Sequence, residues 1–259
     1  MSSSNDQPDM NRRKLIGSSV AAATVATVAP GVFLHTVAKA KEASEPVSDE
    51  VRWGMLIDTS KCKADCTACI DACNEASGIN LLKKPEHTSD ERWNEIRPQW
   101  IRKIKLKDKQ TDNITNMVMM CQHCEFPPCV DVCPTGASFK RVDGIVMVDR
   151  HTCIGCRYCI MACPYKARSF IHENIVEQRI EAPRGKGCVE SCNLCAPYLD
   201  EDATTTACVV ACNEKGHGAM LFGDLNDENS EISKALKEQK SQQIRADLEL
   251  NTGVRYSNI

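Results

Sequence analysis

Short apolar runs bounded by polar residues or glycine recur along this chain, and each predicts a short strand. Arg52 to Asp58 and Gly218-Ala-Met-Leu-Phe-Gly-Asp224 are two such strand candidates. Ala137-Ser-Phe-Lys-Arg-Val-Asp143-Gly144-Ile-Val-Met-Val-Asp149 predicts two strands about an Asp-Gly turn. Within an insert over residues 81 to 118, Arg97-Pro-Gln-Trp-Ile-Arg-Lys-Ile-Lys-Leu-Lys107 alternates apolar with basic, as a half-buried strand does, and its lysines read as a solvated face. After Asp224 the chain turns polar, and Ile232, Leu236 and Ile244 predict a helical tail without chemistry of its own.

One apolar pattern is different in kind. Leu15 to Ala38 is uncharged, built mostly of Ala, Val, Thr, Ser and Gly, and follows Asn11-Arg12-Arg13-Lys14, a twin-arginine pattern. Ala38-Lys39-Ala40 offers a small-x-small cleavage site, so the mature chain is expected to start near Lys41 and to work in the periplasm. An uncleaved membrane anchor is the competing reading, because the run is long enough to span a bilayer. Pro30, Gly31 and many hydroxyl residues lower its hydropathy, which suits export better. Removing residues 1 to 40 takes away Arg12, Arg13, Lys14 and Lys39 against Asp6 and Asp9, moving the net charge from −3 to about −5. No basic face for nucleic acid is expected.

Aromatic residues make up 5% of the 259, little for a body that must bury a large core, whereas cysteines number 17. Metal clusters that cross-link the backbone couple binding to folding and offset a thin core. Sixteen of the cysteines form four groups. Group one is Cys62-x3-Cys66-x2-Cys69-x3-Cys73, followed by Asn74. Group two is Cys121-x2-Cys124-x4-Cys129-x3-Cys133-Pro134, its wide gap holding Pro127-Pro128. Group three is Cys153-Ile-Gly-Cys156-Arg-Tyr-Cys159-Ile-Met-Ala-Cys163-Pro164. Group four is Cys192-x2-Cys195, then 12 residues, then Cys208-x3-Cys212 with no proline after it. Cys188 is the seventeenth; by count it could replace Cys192, but the two-residue gap favours Cys192. A disulfide scaffold fits an exported chain, yet the odd total and the repeated Cys-Pro endings count against it. Zinc sites need two Cys-x-x-Cys pairs, not triplets with a fourth cysteine three residues on.

The run C-x2-C-x2-C-x3-C-P is that of bacterial [4Fe–4S] ferredoxins, in which three thiolates hold one cluster and the fourth serves another. Applied to groups two and three, the swap gives Cys121, Cys124, Cys129 with Cys163, and Cys153, Cys156, Cys159 with Cys133. Groups one and four then give Cys62, Cys66, Cys69 with Cys212, and Cys192, Cys195, Cys208 with Cys73. Four [4Fe–4S] clusters and an α+β fold of tandem ferredoxin-like modules follow, with an inserted hairpin and the helical tail. The organisation is a leader at 1–40, an outer module at 41–120 and 170–225, an inner module at 121–169 and a tail at 226–259. His123, His151 and His217 read as groups behind the ligands or on the surface. Arg157, Tyr158, Lys166 and Arg168 are candidates for tuning potentials by charge and hydrogen bonding.

Cys-x-x-Cys-x4-Cys-x3-Cys-Pro-Thr-Gly-Ala followed by Cys-Ile-Gly-Cys-Arg-Tyr-Cys-x-x-Ala-Cys-Pro-Tyr-x-Ala-Arg resembles the four-cluster iron–sulfur subunits of membrane-bound respiratory complexes, over roughly residues 51 to 224. The leader, the Cys62-x3-Cys66 spacing, Gly185-Lys-Gly-Cys188 and Glu214-Lys-Gly-His217 resemble most the DsrO branch, periplasmic subunits of DsrMKJOP-type complexes of dissimilatory sulfur metabolism. The resemblance implies an NrfD-type integral membrane subunit (DsrP-like), a multihaem cytochrome c (DsrJ-like) and the remaining subunits as partners, with exchange between the quinone pool and sulfur chemistry. It implies an electron-transfer subunit without a substrate site. The same subunit of a periplasmic molybdenum reductase or a hydrogenase is the neighbouring alternative, and a cysteine-rich structural or zinc protein is the alternative from another class.

Overall fold

The apolar run within Trp53–Asp58 builds β1, buried continuously from Gly54 to Ile57, and the main sheet forms around it. The computed structural model describes residues 47–180 and 182–259; the twin-arginine pattern, the uncharged run and the cleavage site lie outside the described residues. After β1 come α1 (Ala68–Ala76), α2 (Asp90–Ile96), β2 (Arg102–Lys107), β3 (Ile114–Met119) and α3 (Pro128–Asp131). The middle holds β4 (Ser138–Lys140), β5 (Val146–Val148), α4 (Tyr158–Ala162), β6 (Arg168–Phe170), β7 (Val189–Ser191) and α5 (Ala196–Leu199). The chain closes with α6 (Ala207–Glu214), β8 (Met220–Asp224), α7 (Glu231–Glu238), β9 (Ser241–Gln242) and β10 (Val254–Ser257). Among the described residues no helix is long and apolar enough to cross a membrane.

The four-stranded sheet runs β8-β1-β10-β9, and three two-stranded ribbons pair β2 with β3, β4 with β5, and β6 with β7. β1 is antiparallel to β8, with Met55 opposite Phe222, and Trp53 stacks on Phe222 at 5.1 Å between ring centres. The Asp-Gly turn forms between β4 and β5, where Gly144 adopts a φ of 86° and its N–H closes on the Arg141 carbonyl.

The expected helical tail is corrected. α7 covers only Glu231–Glu238, and the chain then returns as β10, parallel to β1, with Val254 and Tyr256 fully buried in the core. Two apolar positions flanked by Asn251-Thr252-Gly253 are too few to mark a strand, and its partner lies some two hundred residues away in sequence. Tyr256 ties this sheet to the next cysteine group: its hydroxyl donates to the Val118 carbonyl at 3.2 Å and accepts from Gln122 Nε2 at 3.0 Å. α2 was not anticipated, although Ser89 caps it by accepting from the Arg92 N–H.

Candidate metal centres

The cysteine-bearing helices associate in two pairs: α1 packs on α6, and α3 on α4. Each pair brings the last cysteine of one group to the first three of the other. Four cavities result. One is lined by Cys62, Cys66, Cys69 and Cys212, and a second by Cys73, Cys192, Cys195 and Cys208. A third is lined by Cys121, Cys124, Cys129 and Cys163, and a fourth by Cys133, Cys153, Cys156 and Cys159. Every cysteine named from the spacing thus stands at a cavity with three others. Cys188 stands at none of them, and its thiol donates to the Arg150 carbonyl at 3.2 Å.

Local backbone explains how short loops aim their sulfurs. The second residue inside the opening Cys-x-x-Cys turn of groups two, three and four is left-handed: His123 at φ 42°, Gly155 at 70° and Leu194 at 49°. Gly155 could carry no side chain, because a Cβ would stand 2.1 Å from the Gly187 carbonyl oxygen. Group one has an extra residue between Cys62 and Cys66 and no left-handed residue there, so the insertion replaces a strained conformer with a longer loop. Lys103 leaves the solvated face expected of it and caps this loop, donating to the carbonyls of Lys63 and Cys66.

Three of the four crossing cysteines share a second device. Cys133 Sγ accepts the Ser138 N–H at 3.3 Å, Cys163 that of Ala167 at 3.5 Å and Cys212 that of Ala219 at 3.3 Å, each from the chain entering the next strand. Cys153 accepts the Val189 N–H at 3.5 Å, Cys208 meets the Thr206 hydroxyl at 3.2 Å, and Arg168 Nη2 donates to Cys129 at 3.0 Å. Such donors favour thiolate over thiol.

Burial acts in the opposite direction. It pushes Cys69 up to about 12, with Cys212 adding repulsion, and Cys208 up to about 12 against the Thr206 hydrogen bond. Cys73 and Cys192 are driven well above the ordinary thiol range by burial and then by their neighbouring sulfurs. At Cys133 burial also raises, but the Ser138 amide and further hydrogen bonds outweigh it and the thiol ends below its ordinary value. Four such sulfurs ionise together only if a cation compensates them. Among the described residues no three His, Cys, Asp or Glu side chains converge closely enough for a single ion. Four thiols around each cavity fit a polynuclear core held at its corners, with no carboxylate in any of the four linings.

The histidines divide. His151 and His217 are exposed. His123 is buried, accepts the Val146 N–H at Nδ1 at 3.1 Å, and is held neutral to about pH 3, first by burial and then by Arg168. A feature missed from sequence lies behind the second cavity. Arg184 and Glu190 form a buried ion pair at 2.9 Å; Glu190 also accepts from Trp100 Nε1 at 2.9 Å, and Arg184 donates to the Ser77 carbonyl. Nothing in the segment from Arg184 to Glu190, which also carries Lys186, marks those two as interior.

A family model described as a 4Fe–4S dicluster domain matches residues 113–225. The chain is similar to the Hdr-like menaquinol oxidoreductase iron–sulfur subunit 1 of Archaeoglobus fulgidus, 38% identical over 96% of this chain and 98% of that protein. It is also similar to protein NrfC of Escherichia coli, 38% identical over 73% of each chain. A subunit of the tetrathionate reductase of Salmonella typhimurium is 32% identical over 81% of this chain and 74% of its own length.

Proposed function

The chain belongs to the 4Fe–4S dicluster family of iron–sulfur subunits of oxidoreductase complexes, and on that premise we propose that it holds four [4Fe–4S] clusters as an electron relay of a membrane-associated respiratory complex. The observation that carries this reading is the set of four cavities, each lined by three cysteines of one group and one of another. Cys62, Cys66, Cys69 and Cys212 would hold one cluster and Cys73, Cys192, Cys195 and Cys208 the next; Cys121, Cys124, Cys129 and Cys163, and Cys133, Cys153, Cys156 and Cys159, would hold the inner two. Bound there, the clusters supply one-electron steps. The protein's part is to fix sulfur positions through α1, α3, α4 and α6, to exclude water from Cys73, Cys192 and Cys208, and to donate hydrogen bonds to Cys129, Cys133, Cys163 and Cys212. We read the arrangement as two nested ferredoxin-like modules that relay electrons rather than convert a substrate.

The finer assignment is a DsrO-type subunit, exported folded by the twin-arginine route and bound to the outer face of the cytoplasmic membrane through an NrfD-type integral subunit. It exchanges electrons with a multihaem cytochrome c and connects quinone to sulfur chemistry. Similarity to a menaquinol oxidoreductase subunit over nearly the full length of both chains supports the quinone side. Similarity to subunits of tetrathionate reductase and of a putative dimethyl sulfoxide reductase favours the second reading, a relay to a molybdenum reductase. Isolating the native complex anaerobically and identifying its subunits tests the choice. A co-purifying multihaem cytochrome c with a multi-pass membrane subunit supports the first; a molybdopterin-binding subunit in its place supports the second and overturns the first.

A further inference from the structure

One buried charge between the inner cavities has no counter-ion among the described residues. Arg168 opens β6, is 5% exposed, and lines both the cavity of Cys121, Cys124, Cys129 and Cys163 and that of Cys133, Cys153, Cys156 and Cys159. Its Nη2 donates to Cys129 Sγ at 3.0 Å, and the guanidinium also lies against the Cys159 thiol. Nε and Nη1 have no partner atom, and among the described residues no carboxylate pairs with it. A guanidinium does not shed its proton in a protein, and an isolated buried charge is among the costliest groups to hold. Among the described residues the other deeply buried arginine, Arg184, shows the usual solution, since Glu190 and the Ser77 carbonyl satisfy it. For Arg168 the compensating negative charge has to come from the two cavities.

We propose that Arg168 is a potential-setting residue shared by the two inner clusters: its single fixed charge, in contact with a sulfur ligand of each, favours the reduced state of both and raises both potentials together. The inference rests on the inner ligand sets proposed above. Reduction adds one negative charge to a cluster and takes up no proton at this site, because the guanidinium is already fully protonated. A fixed positive charge at the shared wall therefore stabilises the added electron in either cavity. Among the described residues the outer cavities share no such charge: Arg184 is neutralised by Glu190, and Lys103, which donates to backbone carbonyls, lines the Cys62 cavity and not the Cys73 cavity.

The test is an EPR-monitored redox titration of the anaerobically purified full chain with Arg168→Gln and Arg168→Lys, with inner signals assigned by Cys163→Ser and Cys133→Ser. Arg168→Gln is expected to weaken reduction of both inner centres at least tenfold, about 59 mV each for a one-electron couple, while the outer centres move less than threefold. Arg168→Lys keeps the charge and loses the fork, so both inner centres are expected to shift downward by two- to fivefold. If Arg168→Gln fails to retain its clusters, the lysine variant decides alone. Unmoved inner potentials, or a shift in one centre only, overturn the proposal. Absence of iron from the inner cavities of the unaltered chain would instead overturn the ligand reading on which it rests.

Discussion

The inner and outer pairs of cavities repeat one cysteine arithmetic and support it by different means. The outer pair stands on α1 and α6, helices of nine and eight residues that pack on each other beside the four-stranded sheet. The inner pair stands on α3 and α4, of four and five residues, flanked by the three-residue strands of β4, β5, β6 and β7. Charge separates them further. Behind the outer cavity of Cys73, a buried arginine is matched by a buried glutamate; at the wall between the inner cavities, a buried arginine faces sulfur alone. The same ligand spacing therefore carries two electrostatic settings, and the potentials of the two pairs should differ for that reason and not because the ligands differ.

Breaking the outer support should have the largest effect. Glu190→Gln leaves Arg184 charged and buried without its partner, and loss of one member of a buried pair costs about 3–5 kcal/mol. Chemical unfolding of the loaded protein should show that loss, with the signal of the Cys73 cavity disappearing before those of the inner pair. A stability within 1 kcal/mol of the unaltered chain, roughly the value of a surface pair, would mean the ion pair is not what supports that side.

The joint between the two regions is the next target. Tyr256→Phe removes a hydroxyl that links β10 to Val118 and Gln122, the approach to Cys121, and should cost about 1–2 kcal/mol. Thermal melts of the two proteins at equal iron content measure it, and an unchanged midpoint would show that the sheet and the inner group are held together elsewhere.

A smaller effect sharpens the contrast through pH. Metal binds thiolate, so a thiol held above its ordinary pKa must release a proton on loading, and uptake gains up to about tenfold per pH unit for each proton released. Burial places Cys69 and Cys208 near 12 and Cys73 and Cys192 well above their ordinary value, whereas Cys133 is lowered. Reconstitution of metal-free protein with iron and sulfide should therefore improve as pH rises from 7 to 8, with the Cys133 cavity filling first and the Cys73 cavity last. Uptake that declines over that interval contradicts the assignment of buried thiols as ligands.

Much of the site could be read from the chain because ligand spacing is a local property. Two residues between sulfurs force a tight turn, and the fourth cysteine, one helical turn on, points elsewhere; His123, Gly155 and Leu194 are the left-handed residues that such turns require. Strands β1 and β8 announced themselves as short apolar runs flanking the cysteine groups. What stayed hidden depends on partners remote in sequence. β10 has two apolar residues and acquires its meaning only beside β1. Arg184 and Glu190 look like solvent charges until Trp100, some ninety residues away, closes over them. Arg168 was visible as a charge near cysteines, but its lack of a carboxylate partner is a fact of three dimensions. Lys103 belonged to an alternating strand, and only the fold shows it turned onto the Cys66 loop.

The central claim is that each cluster is completed by a cysteine from another group. Cys163→Ser tests it most directly, with iron and acid-labile sulfide counted and the EPR signals resolved in anaerobically purified protein. The unaltered chain should carry about 16 irons, and the variant should lose or convert the centre of Cys121, Cys124 and Cys129 while that of Cys153, Cys156 and Cys159 persists. Loss of the Cys153 centre with the Cys121 centre intact would contradict the interleaved arrangement.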